Sequence, residues 1–252
     1  MIQLKSPREI DAMRRAGEIT GLALRTARSV IVPGVTTGQV DAAVRKAITG
    51  ADAKPAFLGY NGFPGSACIS VNNEVIHGLP GKRVLRAGDI VSIDVGAIWK
   101  GMYADAAATF PVGTVSERAG KLIRVTRECF YRGLAFIREG KRISDISYAI
   151  QTHAEKAGFS LVRDWTGHGV GTKLHEEPEI PNFGEPGRGP RLRRGMTLAV
   201  EPMVNAGGCD VKVLADGWTV VTLDGSLSAH YEHTVLVTAG EPELLTVWEE
   251  AA

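Results

Sequence analysis

The sequence predicts an α+β fold: a sheet covered on one side by paired helices, with the whole plan laid down twice. Three observations carry this. Helical and strand-like stretches recur in the same order in the two halves, with strands grouped between helix pairs rather than alternating with single helices. Residues 85–94, Leu-Arg-Ala-Gly-Asp-Ile-Val-Ser-Ile-Asp, are echoed by 192–201, Leu-Arg-Arg-Gly-Met-Thr-Leu-Ala-Val-Glu. In both, a mostly apolar run closes on an acid six positions after the glycine.

Taken in order, Ser6-Pro7-Arg8-Glu9 has capping-box spacing with proline at the first helical position, and helical pattern runs from there to about Val32. Pro33-Gly34 stops it. A second helix starts at Thr36 or Thr37 and ends at Gly50. Residues 51–66, rich in glycine, proline and aromatics, read as a packed loop or pocket wall. Strands are expected at 67–72, 90–98 and 104–110. In the second half, helices are expected at 116–139 and 144–157, then strands near 160–165, 196–204, 211–213, 218–222 and 229–237. Asp216-Gly217 is a hairpin turn signal, and 184–190 is a loop.

The duplication reaches beyond the ten-residue echo. His77-Gly-Leu-Pro precedes the first acid and His175-Glu-Glu-Pro the second. Downstream, Asp105 and Glu232 each lie eight residues before a glycine, Gly113 and Gly240. Gly34–Val40 matches Gly140–Ile146 at a shift of 106, close to the 107 that separates Asp94 from Glu201. Two copies are too few for a solenoid. The expectation is one domain over 1–252 with halves of roughly 1–113 and 114–240.

Composition narrows the function classes. At 252 residues the chain can bury a large core, and 44% apolar with 23% charged residues is ordinary for a globular protein. The 29 basic and 28 acidic residues leave a net charge of +1, which gives no electrostatic case for nucleic acid or membrane binding. Cys68, Cys129 and Cys209 are too far apart for a Cys-x-x-Cys zinc site or a disulfide framework, and they fit a reducing compartment. Neither an apolar leader nor a run of transmembrane length is found, so the expected location is the cytoplasm.

Asp94, Asp105, Glu201 and Glu232 are four carboxylates in register, and gathered together they would repel unless neutralised. Two divalent cations would balance them, and paired metals bridged by carboxylates are a known hydrolytic arrangement. Oxygen-rich ligation without sulfur favours Mn, Fe(II) or Co, with Zn also compatible. A nitrogen ligand is available from Gly167-His168-Gly169-Val170-Gly171, where glycines let backbone approach closely and the histidine is expected to project from a tight turn. Its spacing is not that of a dinucleotide fingerprint. His77 and His175 are expected to flank the acids from opposite halves. His153, among Gln151, Glu155 and Lys156, reads as a solvated helix side chain. His230 and His233 bracket Glu232, and His233 should face the opposite side of the sheet, in a structural role.

These residues carry a family resemblance. Asp94, Asp105 eleven later, Gly-His168-Gly-Val-Gly, His175-Glu-Glu-Pro, Val-Glu201-Pro-Met and Tyr-Glu232-His, with Cys68-Ile-Ser-Val-Asn and His77-Gly-Leu-Pro, resemble the type I methionine aminopeptidases in their short bacterial form. The resemblance spans nearly the whole chain. It implies the pseudo-twofold "pita-bread" fold, a curved antiparallel sheet covered by two helix pairs, and removal of the initiator methionine when the second residue is small. It further implies that Asp94, Asp105, His168, Glu201 and Glu232 hold two divalent metals, with Glu201 also moving a proton. By the same resemblance, His175 contacts the carbonyl oxygen, His77 approaches the scissile nitrogen, and Asn72 and Ser228 lie by a monovalent-cation site. Tyr60, Phe63, Cys68 and Trp218 fall at methionine-pocket positions, while Phe57 stands where some relatives have cysteine and Leu174 where several have phenylalanine.

The partners so implied are nascent polypeptide N-termini, with transient ribosome association and no membrane or nucleic acid, and the chain is expected to be a monomer. Two alternatives stand beside this reading: an X-prolyl aminopeptidase or prolidase of the same fold, and a non-catalytic binding module that has kept the fold.

Overall fold

The computed structural model describes residues 1–249 of the chain; the last three residues of the expected 1–252 domain lie outside the described residues. Helices α1 (Pro7–Val30) and α2 (Thr37–Gly50) come first. They are followed by strands β1 (Lys54–Pro55), β2 (Ala67–Val71), β3 (Glu74–Ile76), β4 (Ile90–Trp99) and β5 (Met102–Pro111). The second half opens on α3 (Glu117–Leu134) and α4 (Ile143–Lys156), then β6 (Ser160–Leu161), β7 (Gly167–Gly169), β8 (Glu176–Ile180), β9 (Thr197–Val200) and β10 (Met203–Asn205). It ends with β11 (Val211–Val213), β12 (Val220–Thr222), β13 (Ser228–His230), β14 (Glu232–Leu236) and β15 (Glu243–Leu244).

The main sheet runs β1-β4-β5-β14-β9-β7-β8, with β2 added on β4 and β15 on β14, and every pairing is antiparallel. Two three-stranded sheets, β13-β10-β6 and β11-β12-β3, flank it. The halves join where β5 pairs β14. Both pairs of helices lie against one face: α1 packs on β4 and β5, and α3 packs on β13, β10 and β5. Capping boxes start α1 at Ser6 and α2 at Thr36, each satisfying otherwise orphaned helix N–H groups.

Strand periodicity sorts the residues onto the two faces. Ile93 and Val95 of β4, Ala106 and Ala108 of β5, Leu198 and Val200 of β9 and Val235 of β14 belong to the main core under the helices. Their neighbours Asp94, Asp105, Glu201 and Glu232 must then project from the other face, because successive side chains alternate. Burial of one apolar face thus forces all four acids into a common cleft. This α+β, pita-bread arrangement is the one expected from the sequence.

Several boundaries differ from the sequence-based expectation. Helix α1 ends two residues early, and α3 ends at Leu134 rather than 139 because the chain turns there to bury Ile137 completely. Asp94, which closes the repeated apolar run, sits inside β4 as the expected strand 90–98 has it, facing Ala107 of β5. The expected strand 196–204 breaks at Glu201-Pro202, where proline has no N–H for the ladder. There the chain passes from the main sheet in β9 to a flanking sheet in β10. Strand 229–237 likewise breaks at Tyr231. Of 160–165 only Ser160 and Leu161 form a strand.

The segment around His168 is no tight turn but a strand between β8 and β9. Its glycines are needed for close strand approach: a Cβ on Gly167 would meet the Ala199 carbonyl, and one on Gly169 the Glu177 carbonyl. His153 is also not simply solvated; its Nε2 lies 2.8 Å from Glu128 across α3 and α4.

Candidate metal centre and substrate cleft

The four acids and His168 converge at the β5–β14 seam, on the face of the sheet away from the helices. Asp105, His168 and Glu232 are buried, and their donor atoms lie within 4.8 Å of one another. His168 Nε2 is 3.5 Å from Glu201 Oε1 and 3.9 Å from Asp105 Oδ2. Asp94 reaches the same group from β4: it pairs with Ala107, and Ala107 pairs with Glu232.

The seam is narrow, and side chains brace it. Only Ala106–His233 and Ala107–Glu232 form ladder pairs there. On one side Thr234 Oγ1 accepts from the Asp105 N–H and donates to the Asp105 carbonyl, both at 2.9 Å. On the other, Thr109 Oγ1 accepts from the His230 N–H and donates to the His230 carbonyl, again at 2.9 Å.

The electrostatics are those of a centre short of positive charge. Burial pushes the Asp94, Glu201 and Glu232 carboxyls well above their ordinary range, and the other acids push them further. Burial raises Asp105 to about 7. Asp94 Oδ1, Asp105 Oδ1 and Glu232 Oε1 are buried with no hydrogen-bond partner among the described residues. The His168 Nδ1 lies 2.9 Å from the Gly169 carbonyl. An oxygen acceptor there puts the ring proton on Nδ1 and leaves the Nε2 lone pair facing Glu201 and Asp105. A set of acceptors without donors is satisfied by protons or by cations, and its oxygen-rich character with one imidazole fits divalent metal ions.

Beside the acids lies a cleft of about 1100 Å³ whose walls include Asp94, Asp105, His168, Glu201 and Glu232 as well as Tyr60, Phe63, Cys68 and Trp218. Phe57, Phe63, Cys68 and Leu174 are buried in one apolar cluster, against which Tyr60 and Trp218 pack. Cys68 faces Asp94 across β2 and β4. Trp218 rides on the β11–β12 hairpin, where Asp216 accepts from the N–H groups of Trp218 and Thr219. It meets Phe63 edge-on at 5.1 Å.

The two repeat-related histidines are placed differently. His77, in a left-handed conformation (φ 58°), sits edge-on to Trp165 at 5.0 Å. Burial, helped by His175, lowers it to about 4. His175 is exposed at the cleft mouth, with its ring 4.3 Å from that of His168 and its Nδ1 2.8 Å from the Tyr60 hydroxyl. Glu176, next along, forms an almost fully buried ion pair with Lys5 at 2.5 Å and accepts from Thr172 and the Lys173 N–H. The N-terminal segment thereby pins the loop that carries His175.

His233 faces away from the cleft and bonds to Thr246 and the Tyr231 hydroxyl. Trp165, Thr109, Thr234 and Lys5 were not singled out by the sequence. None carries a local signal, because each acts on a residue distant in the chain.

The pattern of metallopeptidase family M24 matches residues 11–239. A methionine aminopeptidase from Clostridium perfringens is 55% identical over 98% of this chain and 99% of its own. The crystal structure of methionine aminopeptidase from Thermotoga maritima superposes with a TM-score of 0.96 at 51% identity, covering 98% of this chain and 99% of that one. Prolidase from Pyrococcus furiosus shares the fold at a TM-score of 0.79 and 24% identity, over 98% of this chain and 66% of its own. Acids gathered at a duplicated seam, the cleft beside them and these likenesses agree: the chain belongs to metallopeptidase family M24.

Proposed function

We propose that this chain is a methionine aminopeptidase that removes the initiator methionine from new polypeptides whose second residue is small. The observation that carries the reading is the convergence of Asp94, Asp105, His168, Glu201 and Glu232 on the wall of a cleft lined by Phe63, Cys68 and Trp218. The five residues would hold two divalent cations, with Mn, Fe(II) and Co the best suited and Zn compatible. The chemistry such cations would supply there is a lowered pKa for water and a polarised scissile carbonyl.

The chain's own groups do the rest. Glu201 takes the proton released as water attacks and returns it to the leaving nitrogen. His175, with its Nδ1 occupied by the Tyr60 hydroxyl, presents Nε2–H to the carbonyl oxygen as charge develops there. His77, neutral at pH 7, contacts the scissile nitrogen. Tyr60, Phe63, Cys68 and Trp218, with Phe57 and Leu174 behind them, receive the thioether through aromatic and sulfur contacts. The Asn72 and Ser228 segments, joined where the Ser228 N–H donates to the Asn72 carbonyl, border a monovalent-cation site.

The protein acts as a monomeric single domain with halves 1–113 and 114–240, in the cytoplasm, on chains emerging from the ribosome. Among the described residues no helix is long and apolar enough to cross a membrane. Hydrolysis of Met-Ala-Ser and of an Xaa-Pro peptide, after anaerobic loading with each metal, tests the reading. Met-Ala-Ser is expected to be cut and Xaa-Pro not; faster cleavage of Xaa-Pro would assign a prolidase-like enzyme instead.

A further inference from the structure

His230 is the one histidine of the cleft region with no role in the scheme above, and its surroundings are unusual. Its side chain is 1% exposed, and neither ring nitrogen has a hydrogen-bond partner among the described residues. A buried polar group left unpaired is costly, by about 1–3 kcal/mol, so a partner is to be looked for nearby. The candidate is Glu201: its Oε2 lies 3.5 Å from His230 Nε2.

Glu201 is therefore flanked by two imidazoles, one at each oxygen, with His168 Nε2 3.5 Å from Oε1. The two are not equivalent. His168 commits its ring proton to the Gly169 carbonyl, so it faces Glu201 with a lone pair. His230 has committed neither nitrogen, so its Nε2 can carry the proton and donate. A closing movement of about half an ångström brings the pair to hydrogen-bond length. The main chain of His230 is held in place. Its backbone is clamped to Thr109 in both directions, and Thr109 is within 2.7 Å of Ser92. Met203, two residues beyond Glu201, is its partner in the β10–β13 ladder.

We propose that His230 is a positioning residue that donates from Nε2 to Glu201 Oε2, so that Oε1 is the oxygen turned toward His168 and the bound cations. The assignment rests on the proposed metal-dependent aminopeptidase reading and adds to it the group that fixes the orientation of its proton carrier. It also accounts for the break at Pro202. A glutamate where the strand leaves the sheet has no ladder on its far side to hold it, and an imidazole from the neighbouring strand supplies the support. Such supporting hydrogen bonds are commonly worth 10- to 100-fold in metal affinity or activity.

The test compares His230→Leu with His230→Gln, the second of which keeps a side-chain N–H donor. Manganese(II) affinity and stoichiometry are read by calorimetry, and kcat and KM are read on Met-Ala-Ser. The leucine variant is expected to bind manganese about tenfold more weakly and to lose about 10- to 100-fold in kcat, with KM changed less than about threefold. The glutamine variant should recover most of both losses. Should the leucine variant fail to fold, His230→Met carries the same expectation.

Equal impairment by leucine and glutamine would make His230 a packing residue. Loss of one manganese equivalent in both would make it a ligand, and wild-type behaviour of the leucine variant would leave it no role; each of these overturns the proposal. If the unaltered protein failed to cut Met-Ala-Ser, the functional reading would fall, while the manganese comparison would still report on the His230–Glu201 contact.

Discussion

The Thr234 hydroxyl holds the backbone of Asp105 from both sides, accepting its N–H and donating to its carbonyl at 2.9 Å each. The β5–β14 ladder has already opened at this point, so the threonine stands in for a missing backbone pair between the two halves. The backbone of Asp105 is thus held in place by the chain itself.

Thr234→Val keeps the shape and removes the hydroxyl. Manganese affinity is expected to fall about tenfold, as for other groups that orient a ligand, while the protein stays folded. Calorimetric titration measures it, and unchanged affinity would remove Thr234 from the support of Asp105.

Asp105 also predicts a pH dependence. Burial raises its folded pKa from 3.8 to about 7. A raised carboxyl binds its proton more tightly in the folded state, so its contribution to stability is fully present below the unfolded value and is lost as pH rises through the folded one. In chelator, the melting temperature of the wild type relative to Asp105→Asn is therefore expected to fall between about pH 4 and pH 7. Cation binding over the same range should release protons, and so tighten as pH rises. Melting curves across the pH series, and calorimetry in buffers of different ionisation enthalpy, read the two effects.

His175 and Trp218 should separate transition-state from ground-state interactions. His175→Ala is expected to leave metal affinity intact and lower kcat about 10²- to 10³-fold, as when one stabilising donor is removed. Loss of metal by this variant would instead identify His175 as a ligand. Trp218→Ala should raise KM about tenfold through lost thioether contact, without loss of metal. Steady-state kinetics with metal analysis decides both.

Lys5 and Glu176 are 3% and 6% exposed as side chains, so Lys5→Met strands a buried carboxylate beside His175. Breaking a buried pair from one side costs about 3–5 kcal/mol. Denaturant unfolding should show a loss of this order at neutral pH, and acid should shrink the difference as Glu176 protonates.

How much of this was legible in the chain follows from what is local and what is not. The capping box at Ser6 and the turn at Asp216-Gly217 are written in neighbouring residues, and the structure has them where the sequence put them, while the helix stopped by Pro33-Gly34 ends two residues early. The break at Pro202 was written there too, yet the apolar run around it concealed it. The glycines around His168 signal a turn in the sequence. Here they serve close packing against β8 and β9, which only the neighbouring strands reveal.

By itself the sequence determined the duplication, the four acids at matching registers and the histidine beside them, because strand alternation converts a repeated pattern into a shared face. Tertiary structure decided everything that depends on contacts between distant segments. Thr109 and Thr234 brace the seam, His230 comes to lie against Glu201, Trp165 covers His77, and Lys5 reaches across the chain to Glu176. None of these pairs is close in sequence, so no local pattern could announce them; all but His230–Glu201, which lies within the second half, cross between the two halves that burial of the helix-facing side of the sheet brings together.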